Sequence, residues 1–349
     1  MKRNKHIWAF PMKGSYTSPL YGCMIDCGVS VKEGVWSLGW FRQHLRREDI
    51  VHIHWPSFAY NTTKSTLPAI ISFLKFFVIL IVIRLSGAKI WWTAHNLLPH
   101  DRNFISSFDI LARHLIIFFS KRIFVHGSFA RKQLETRFPS SRHKNIEIPH
   151  GNWINYYGSV SEKNFAKDAL SLPKDKFVLL VFGQLRAYKN IHVLIELLKG
   201  NQNKDLYLLI AGQFKDDDYQ REISDLLKSE PSNIRLDAKF IPNEEVPMYL
   251  AASDIMIMPY TEILTSGTAM LAISYGCPIM SIEAGFLRDV ITPETGVFIS
   301  DITDTEIEKA ISKAQATNWD ATRIIKHAEL FTFFNAAKIM FNNLDREID

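Results

Sequence analysis

The chain has 349 residues, room for two domains at about 100–200 residues each. Hydrophobic residues make up 47% and charged residues 22%, with no internal repeat or low-complexity tract, which excludes disorder, collagen, coiled coil, solenoid and propeller as the main architecture. The net charge of +5 is uneven: residues 1–155 hold 21 Lys+Arg against 8 Asp+Glu (+13), and the remainder 20 against 28 (−8). A basic first half suits an anionic partner, either nucleic acid or the cytoplasmic face of a membrane; the bland reading is an excess on a solvated face. Three cysteines (Cys23, Cys27, Cys277) cannot frame a disulfide scaffold, and no secretory signal precedes the first strand-like run, so a reducing cytoplasmic setting is expected. Cys23 and Cys27 lack zinc-site partners at usual spacing and read as small buried residues.

Along the first half, short apolar runs alternate with stretches long enough for a crossover helix. The runs are His6–Phe10, Ile50–His54, Lys89–Ala94, Arg122–His126 and Asn145–Pro149. This is the pattern of a parallel, doubly wound α/β sheet. The second half repeats it with Phe177–Phe182, Leu206–Ala211, Ile234–Leu236, Ile255–Met258 and Pro278–Ser281, and with helices over Val193–Leu198 and Glu245–Ala252. The polar stretch Tyr156–Lys176 contains Pro173 and reads as a linker. The expectation is two Rossmann-like domains, 1–155 and 175–320, joined by 156–174 and followed by a C-terminal helix in 321–349.

Leu67–Ile83 is apolar except for Pro68, Ser72 and Lys75, at the lower edge of a membrane span in length. Its strand–helix–strand setting favours a crossover helix with one buried and one lipid-seeking face, and complete burial is the plain alternative. Phe73, Phe76, Phe77 and Leu80 are the side chains considered for entering a membrane interface, with Lys64, Lys75, Arg84 and Lys89 as basic companions.

Two loops carry phosphate-binding chemistry. Gly183-Gln184-Leu185-Arg186-Ala187-Tyr188-Lys189 follows a strand and precedes a helix. The glycine lets backbone approach a ligand, and Arg186 and Lys189 supply positive charge for a diphosphate. It is neither GxGxxG nor a Walker A loop, and a surface loop with two solvated bases is the plain alternative. Ser266-Gly267 opens a helix after Pro259–Thr265 and can offer N–H groups and a hydroxyl to phosphate oxygens, or serve as a simple N-cap. In the first half, His52, His54, His95, His126 and His150 sit at four strand ends, where open α/β sheets bind ligands. No HExxH and no acidic partner at short spacing supports a metal, so none is expected. Asp216-Asp217-Asp218 reads as a solvated turn.

These residues together resemble the GT-B glycosyltransferases, closest to the bacterial group 1 enzymes that build exopolysaccharide, capsule or O-antigen units on lipid carriers. The Gly-x-x-Arg-x-x-Lys loop, the Ser-Gly helix start before Gly276-Cys277-Pro278, His52-Ile53-His54-Trp55-Pro56 and Trp92-Thr93-Ala94-His95-Asn96 carry the resemblance, which covers nearly the whole chain. It implies a cleft between two Rossmann-like domains. It also implies that Gly183, Arg186 and Lys189 hold the donor diphosphate, that Ser266 and Gly267 meet its phosphates and sugar, that His95 faces the transferred sugar, and that Gly14 to Ser18 lie against donor and acceptor. The family's paired glutamates are incomplete. Glu262 matches the first, but Met270 and Leu271 stand where the second belongs, so the stereochemical outcome is not inherited.

The reaction so implied is metal-independent hexosyl transfer, without cofactor, from GDP-mannose or a UDP-hexose to a polyprenyl-diphosphate-linked saccharide, by a peripheral enzyme of the bacterial inner membrane. His95, His54 and Asp101 are the candidates for deprotonating an acceptor hydroxyl. The competing readings are a GT-B-like UDP-sugar epimerase, a two-lobed sugar-binding module, and a nucleic-acid protein. The missing signal peptide counts against the second, and the lack of an aromatic-basic motif against the third.

Overall fold

The computed structural model describes residues 6–61, 65–200, 205–229, 231–261 and 263–345. Among the described residues, twelve strands form two parallel sheets of six. The first sheet holds β1 (His6–Phe10), β2 (Ser30–Glu33), β3 (Ile50–Ile53), β4 (Lys89–Thr93), β5 (Ser120–His126) and β6 (Asn145–Ile148), in the order β2-β1-β3-β4-β5-β6. The second holds β7 (Phe177–Phe182), β8 (Leu206–Ala211), β9 (Ile234–Asp237), β10 (Ile255–Met258), β11 (Ile279–Ile282) and β12 (Gly296–Ile299), in the order β12-β11-β10-β7-β8-β9. The expected α/β fold of two Rossmann-like halves is therefore present.

Central strands such as β7 (FVLLVF) are apolar throughout because helices cover both faces of a parallel sheet. Sequence reading missed β2 and β12. Both are edge strands, and β2 (SVKE) has only Val31 fully buried, so it shows no apolar run.

The chain divides into two compact units, residues up to Gly151 together with those from Thr332 onward, and Asn152–Phe331. Three expectations change here. The expected linker carries a helix, Lys163–Ala169, that packs on helix Val246–Ala251 within the second unit. The expected single tail helix is two: Ala321–Ala328 packs on helix Gly267–Ser274 in the second unit, and Phe333–Asp345 packs on helix Thr17–Asp26 and β6 in the first. Phe333 explains the return. Its ring lies against Gly151, where any Cβ would collide with it and where φ is +98°, so glycine is required. Finally, Asp216 is no turn residue but the N-cap of helix Asp217–Leu226, accepting from the Asp218 and Tyr219 N–H groups.

Cys277 is buried, whereas Cys23 and Cys27 are half-buried rather than enclosed. Helix Thr66–Leu85 has 20 residues and is long and apolar enough to cross a membrane by length and composition. Ala69, Phe73, Phe76, Ile79, Leu80 and Ile83 recur at helical spacing and bury one face. Leu67, Ile70, Ile71, Leu74 and Val78 are exposed. Thus Phe73, Phe76 and Leu80 face the core, not the outside. Lys75 and Arg84 are exposed, Lys89 pairs with Glu48 at 3.0 Å, and Lys64 lies outside the described residues.

Candidate functional site

The second sheet runs outward in both directions from β7, so its neighbours β8 and β10 are reached by connections on opposite faces. The loops after β7 and β10 therefore flank the point where strand order reverses, which is where open α/β sheets receive ligands. After β7 the chain turns at Gly183 (φ +91°), whose N–H donates to the Ala211 carbonyl at 3.0 Å. Arg186 follows in extended backbone, then the short turn Ala187–Lys189, then helix Ile191–Gly200. Asn190 adopts the left-handed conformation (φ +52°) that its side chain tolerates, and donates its amide to the Pro259 carbonyl at 2.7 Å. Thr261 N–H donates to the Tyr188 carbonyl at 3.2 Å. These two bonds tie the loop after β7 to the loop after β10.

Two groups converge at Gly183. A Cβ built there would lie 3.6 Å from the Thr268 hydroxyl and 3.8 Å from the Lys189 ammonium. Lys189 is 3% exposed, donates to the Phe182 carbonyl at 2.9 Å and lies 5.2 Å over the Tyr260 ring. Burial, with help from Arg186, lowers its pKa to about 7. Ser266 is the N-cap of helix Gly267–Ser274; its hydroxyl accepts from Ala269 N–H at 3.2 Å. The hydroxyl thus caps Ala269 N–H, which leaves the N–H groups of Gly267 and Thr268 at the helix start without an acceptor inside the helix. The structure so brings Gly183, Lys189 and the Ser266-Gly267-Thr268 helix start together; Arg186 is half-exposed on the same loop. Glu262 lies outside the described residues. Thr268, Asn190 and Tyr260 were not singled out from sequence, because none belongs to a recognisable spacing. A diphosphate fits this chemistry: a desolvated ammonium, a guanidinium and helix N–H groups all favour anionic oxygens.

The first unit gathers histidines. Thr93 Oγ1, His52, Tyr21, His54 and His95 form a buried hydrogen-bonded chain with separations of 2.8, 2.9, 2.8 and 3.1 Å. Tyr16, which precedes helix Thr17–Asp26, packs edge-on against His54, His95, His126 and His150 with ring centroids 4.6–5.7 Å apart. Trp55 stacks on His95 at 4.5 Å. All five imidazoles are at most 5% exposed. Burial lowers every one of their pKa values, and the neighbouring imidazoles lower those of His54, His95 and His126 further. Buried neutral imidazoles are weak general bases and good hydrogen-bonding or ligating groups. His54 and His95 are therefore brought together, while Asp101 stands exposed on the loop after β4, its carbonyl accepting from the Asn61 amide. Gly14 and Ser18 close the loop after β1 through mutual bonds of 3.0 and 3.1 Å. Histidines at four strand ends were the sequence signal for this cluster; Tyr16 was marked only as part of the Gly14–Ser18 loop, and Tyr21 gave no signal.

Residues 162–331 match the family model described as glycosyl transferases group 1. A GDP-mannose:glycolipid 4-beta-D-mannosyltransferase of Xanthomonas campestris pv. campestris is 22% identical over 243 residues, covering 68% of this chain and 62% of the relative. The match thus spans less than two thirds of that protein's length. Among solved structures, sucrose-phosphate synthase from Thermosynechococcus elongatus superposes with a TM-score of 0.75 at 13% identity, covering 99% of each chain. Anabaena HepE in complex with UDP and glucose superposes with a TM-score of 0.71 at 15% identity, covering 99% of this chain and 100% of that one. The fold is that of the GT-B glycosyltransferases.

Proposed function

We propose that this chain, whose residues 162–331 are a group 1 glycosyltransferase domain on a GT-B fold, transfers a hexose from a nucleotide-diphosphate sugar to a lipid-linked saccharide. The observation that carries the reading is the convergence of Gly183, Lys189 and the Ser266–Thr268 helix start beside Arg186 at the strand-order reversal. As the glycosidic bond breaks, negative charge builds on the departing diphosphate. Preorganised cations and N–H dipoles stabilise that charge more than the ground state, which lowers the barrier. Donors of the GDP-mannose or UDP-hexose type fit, and the glycolipid acceptor named for the Xanthomonas relative supports a lipid carrier such as a polyprenyl diphosphate. The test is incubation with each nucleotide sugar and a polyprenyl-diphosphate-linked saccharide. Nucleoside diphosphate released only when acceptor is present is the expected result. Conversion of the donor to an epimer without transfer would favour the epimerase reading instead.

Because side-chain cations and the helix start serve the diphosphate, hard divalent ions have no task there. After EDTA treatment, added Mg²⁺ or Mn²⁺ is expected to leave turnover unchanged. Strong restoration by either ion would contradict this.

A lipid acceptor requires approach to a bilayer. We assign that approach to the exposed face of helix Thr66–Leu85 (Leu67, Ile71, Leu74, Val78) and to Ile110, Leu111 and Phe118 of the adjoining helix Ser107–Phe119. The excess positive charge of residues 1–155 adds attraction to an anionic leaflet, about 1 kcal/mol per nearby lysine or arginine. Binding to anionic liposomes is expected to fall with salt but not vanish, and Leu74→Glu with Val78→Glu is expected to abolish the salt-resistant part. Equal binding by the double variant would overturn the assignment.

A further inference from the structure

We propose that His95, His126 and His150 form a binding site for one divalent cation of the zinc class in the first unit. One nitrogen from each ring lies within 4.8 Å of the others. The three come from the carboxyl ends of the adjacent strands β4, β5 and β6, so the parallel sheet itself sets their spacing. Sequence spacing could not show this, since the ligands are about thirty and twenty-four positions apart in the chain rather than on one helix.

The protonation pattern suits ligation. His150 Nδ1 is 3.4 Å from the Gly151 carbonyl, so its proton belongs there and Nε2 carries the lone pair. His95 Nε2 is 3.1 Å from His54 Nδ1. Tyr21 has one hydroxyl proton and two imidazole neighbours, so it donates to one and accepts from the other. When the chain is ordered so that His95 donates to His54, His54 donates to Tyr21, Tyr21 to His52 and His52 to Thr93, every bond is satisfied and His95 Nδ1 is deprotonated. A ligating histidine whose other nitrogen donates to a second group is the usual arrangement at metal sites. Among the described residues His126, 1% exposed, makes no well-formed hydrogen bond at either ring nitrogen, only looser approaches to the backbone at Ile148 and Pro149, and the Tyr16 hydroxyl in the same cluster is buried without a partner. Such orphaned polar groups are costly unless something else satisfies them.

Tetrahedral Zn–N bonds of about 2.0–2.1 Å place the nitrogens about 3.3 Å apart, inside the 4.8 Å within which they lie here. His126, whose ring makes only loose polar contacts, can move to close that gap. Three imidazoles without a carboxylate select zinc, cobalt, nickel or copper over Mg²⁺ and Ca²⁺, and leave a fourth position for water or an anion. All three ligands belong to the first unit, and binding is read without turnover.

The probe is Co²⁺ added to the full chain without a histidine tag. One equivalent is expected to bind with the visible bands of low-coordinate cobalt and to be displaced by Zn²⁺, which raises the melting temperature. His126→Asn and His150→Asn, checked for folding by circular dichroism, are expected to lose on the order of 100-fold or more in affinity. His44→Asn, at an exposed position, is expected to keep the site. Absence of stoichiometric Co²⁺ and Zn²⁺ binding by the wild-type chain would overturn the proposal whatever the variants do. So would an unchanged cobalt spectrum in either folded variant.

Discussion

Replacing Lys189 by methionine is expected to weaken donor binding by about 1–3 kcal/mol, roughly 5- to 150-fold in Kd, the range for a lost charge-assisted hydrogen bond. The same change is expected to stabilise the free protein. Burial beside Arg186 holds the ammonium's pKa at about 7, against an ordinary 10.5. Below about pH 7 the native chain must keep a charged lysine away from water, so folding is opposed. From about pH 7 to about 10.5 the native chain sheds the proton while the unfolded chain retains it. The unfolded state then binds more protons, and stability rises with pH through that window. Methionine removes both the charge and its pH dependence. The gain in Tm for Lys189→Met is therefore expected to be largest near about pH 6 and to shrink by about pH 9. Calorimetric titration with nucleoside diphosphate and melting curves at the two pH values check both halves. Unchanged affinity would detach Lys189 from the donor, and a pH-independent Tm difference would remove the burial argument. Arg186→Ala is expected to lose donor affinity without the gain in stability, because its guanidinium is half-exposed.

Gly212→Ala is expected to be more damaging still. Gly212 has φ +153°, and a Cβ there would overlap the carbonyl of Gly183. That carbonyl belongs to the turn on which the diphosphate loop is built, and it has no flexible side chain to yield. Backbone must move instead, at a cost of about 2–4 kcal/mol from overpacking and strain together. For a unit of this size that lowers Tm by about 5–15 °C, and donor affinity falls with it because the Gly183 turn is displaced. Gly183→Ala is the informative contrast. Its Cβ would meet Thr268 and Lys189 at 3.6 and 3.8 Å, ordinary contact distances, so only the strain of φ +91° remains, about 1 kcal/mol. A Gly212→Ala protein with wild-type Tm and donor affinity would refute the account, as would a larger loss for Gly183→Ala.

The amino-acid sequence by itself determined the two α/β halves, because a buried parallel strand announces itself as a short apolar run between turns, as in Phe177–Phe182 and Leu206–Ala211. It also marked Gly183, Arg186, Lys189 and Ser266-Gly267, since glycine turns and caps are local chemistry read within a few residues. Edge strands such as Ser30–Glu33 escaped, because a strand covered on one side needs no apolar run. The break near Thr332 escaped as well: Phe333 returns to Gly151 through a contact across some 180 residues, which no local pattern encodes. Tertiary structure alone decided which face of Thr66–Leu85 is covered, since a helix apolar all round carries no periodic signal. It alone placed Thr268 beside Lys189. And it alone turned histidines at four separate strand ends into one buried cluster, because only the lateral order of parallel strands, set by crossover handedness and sheet packing, makes β4, β5 and β6 neighbours.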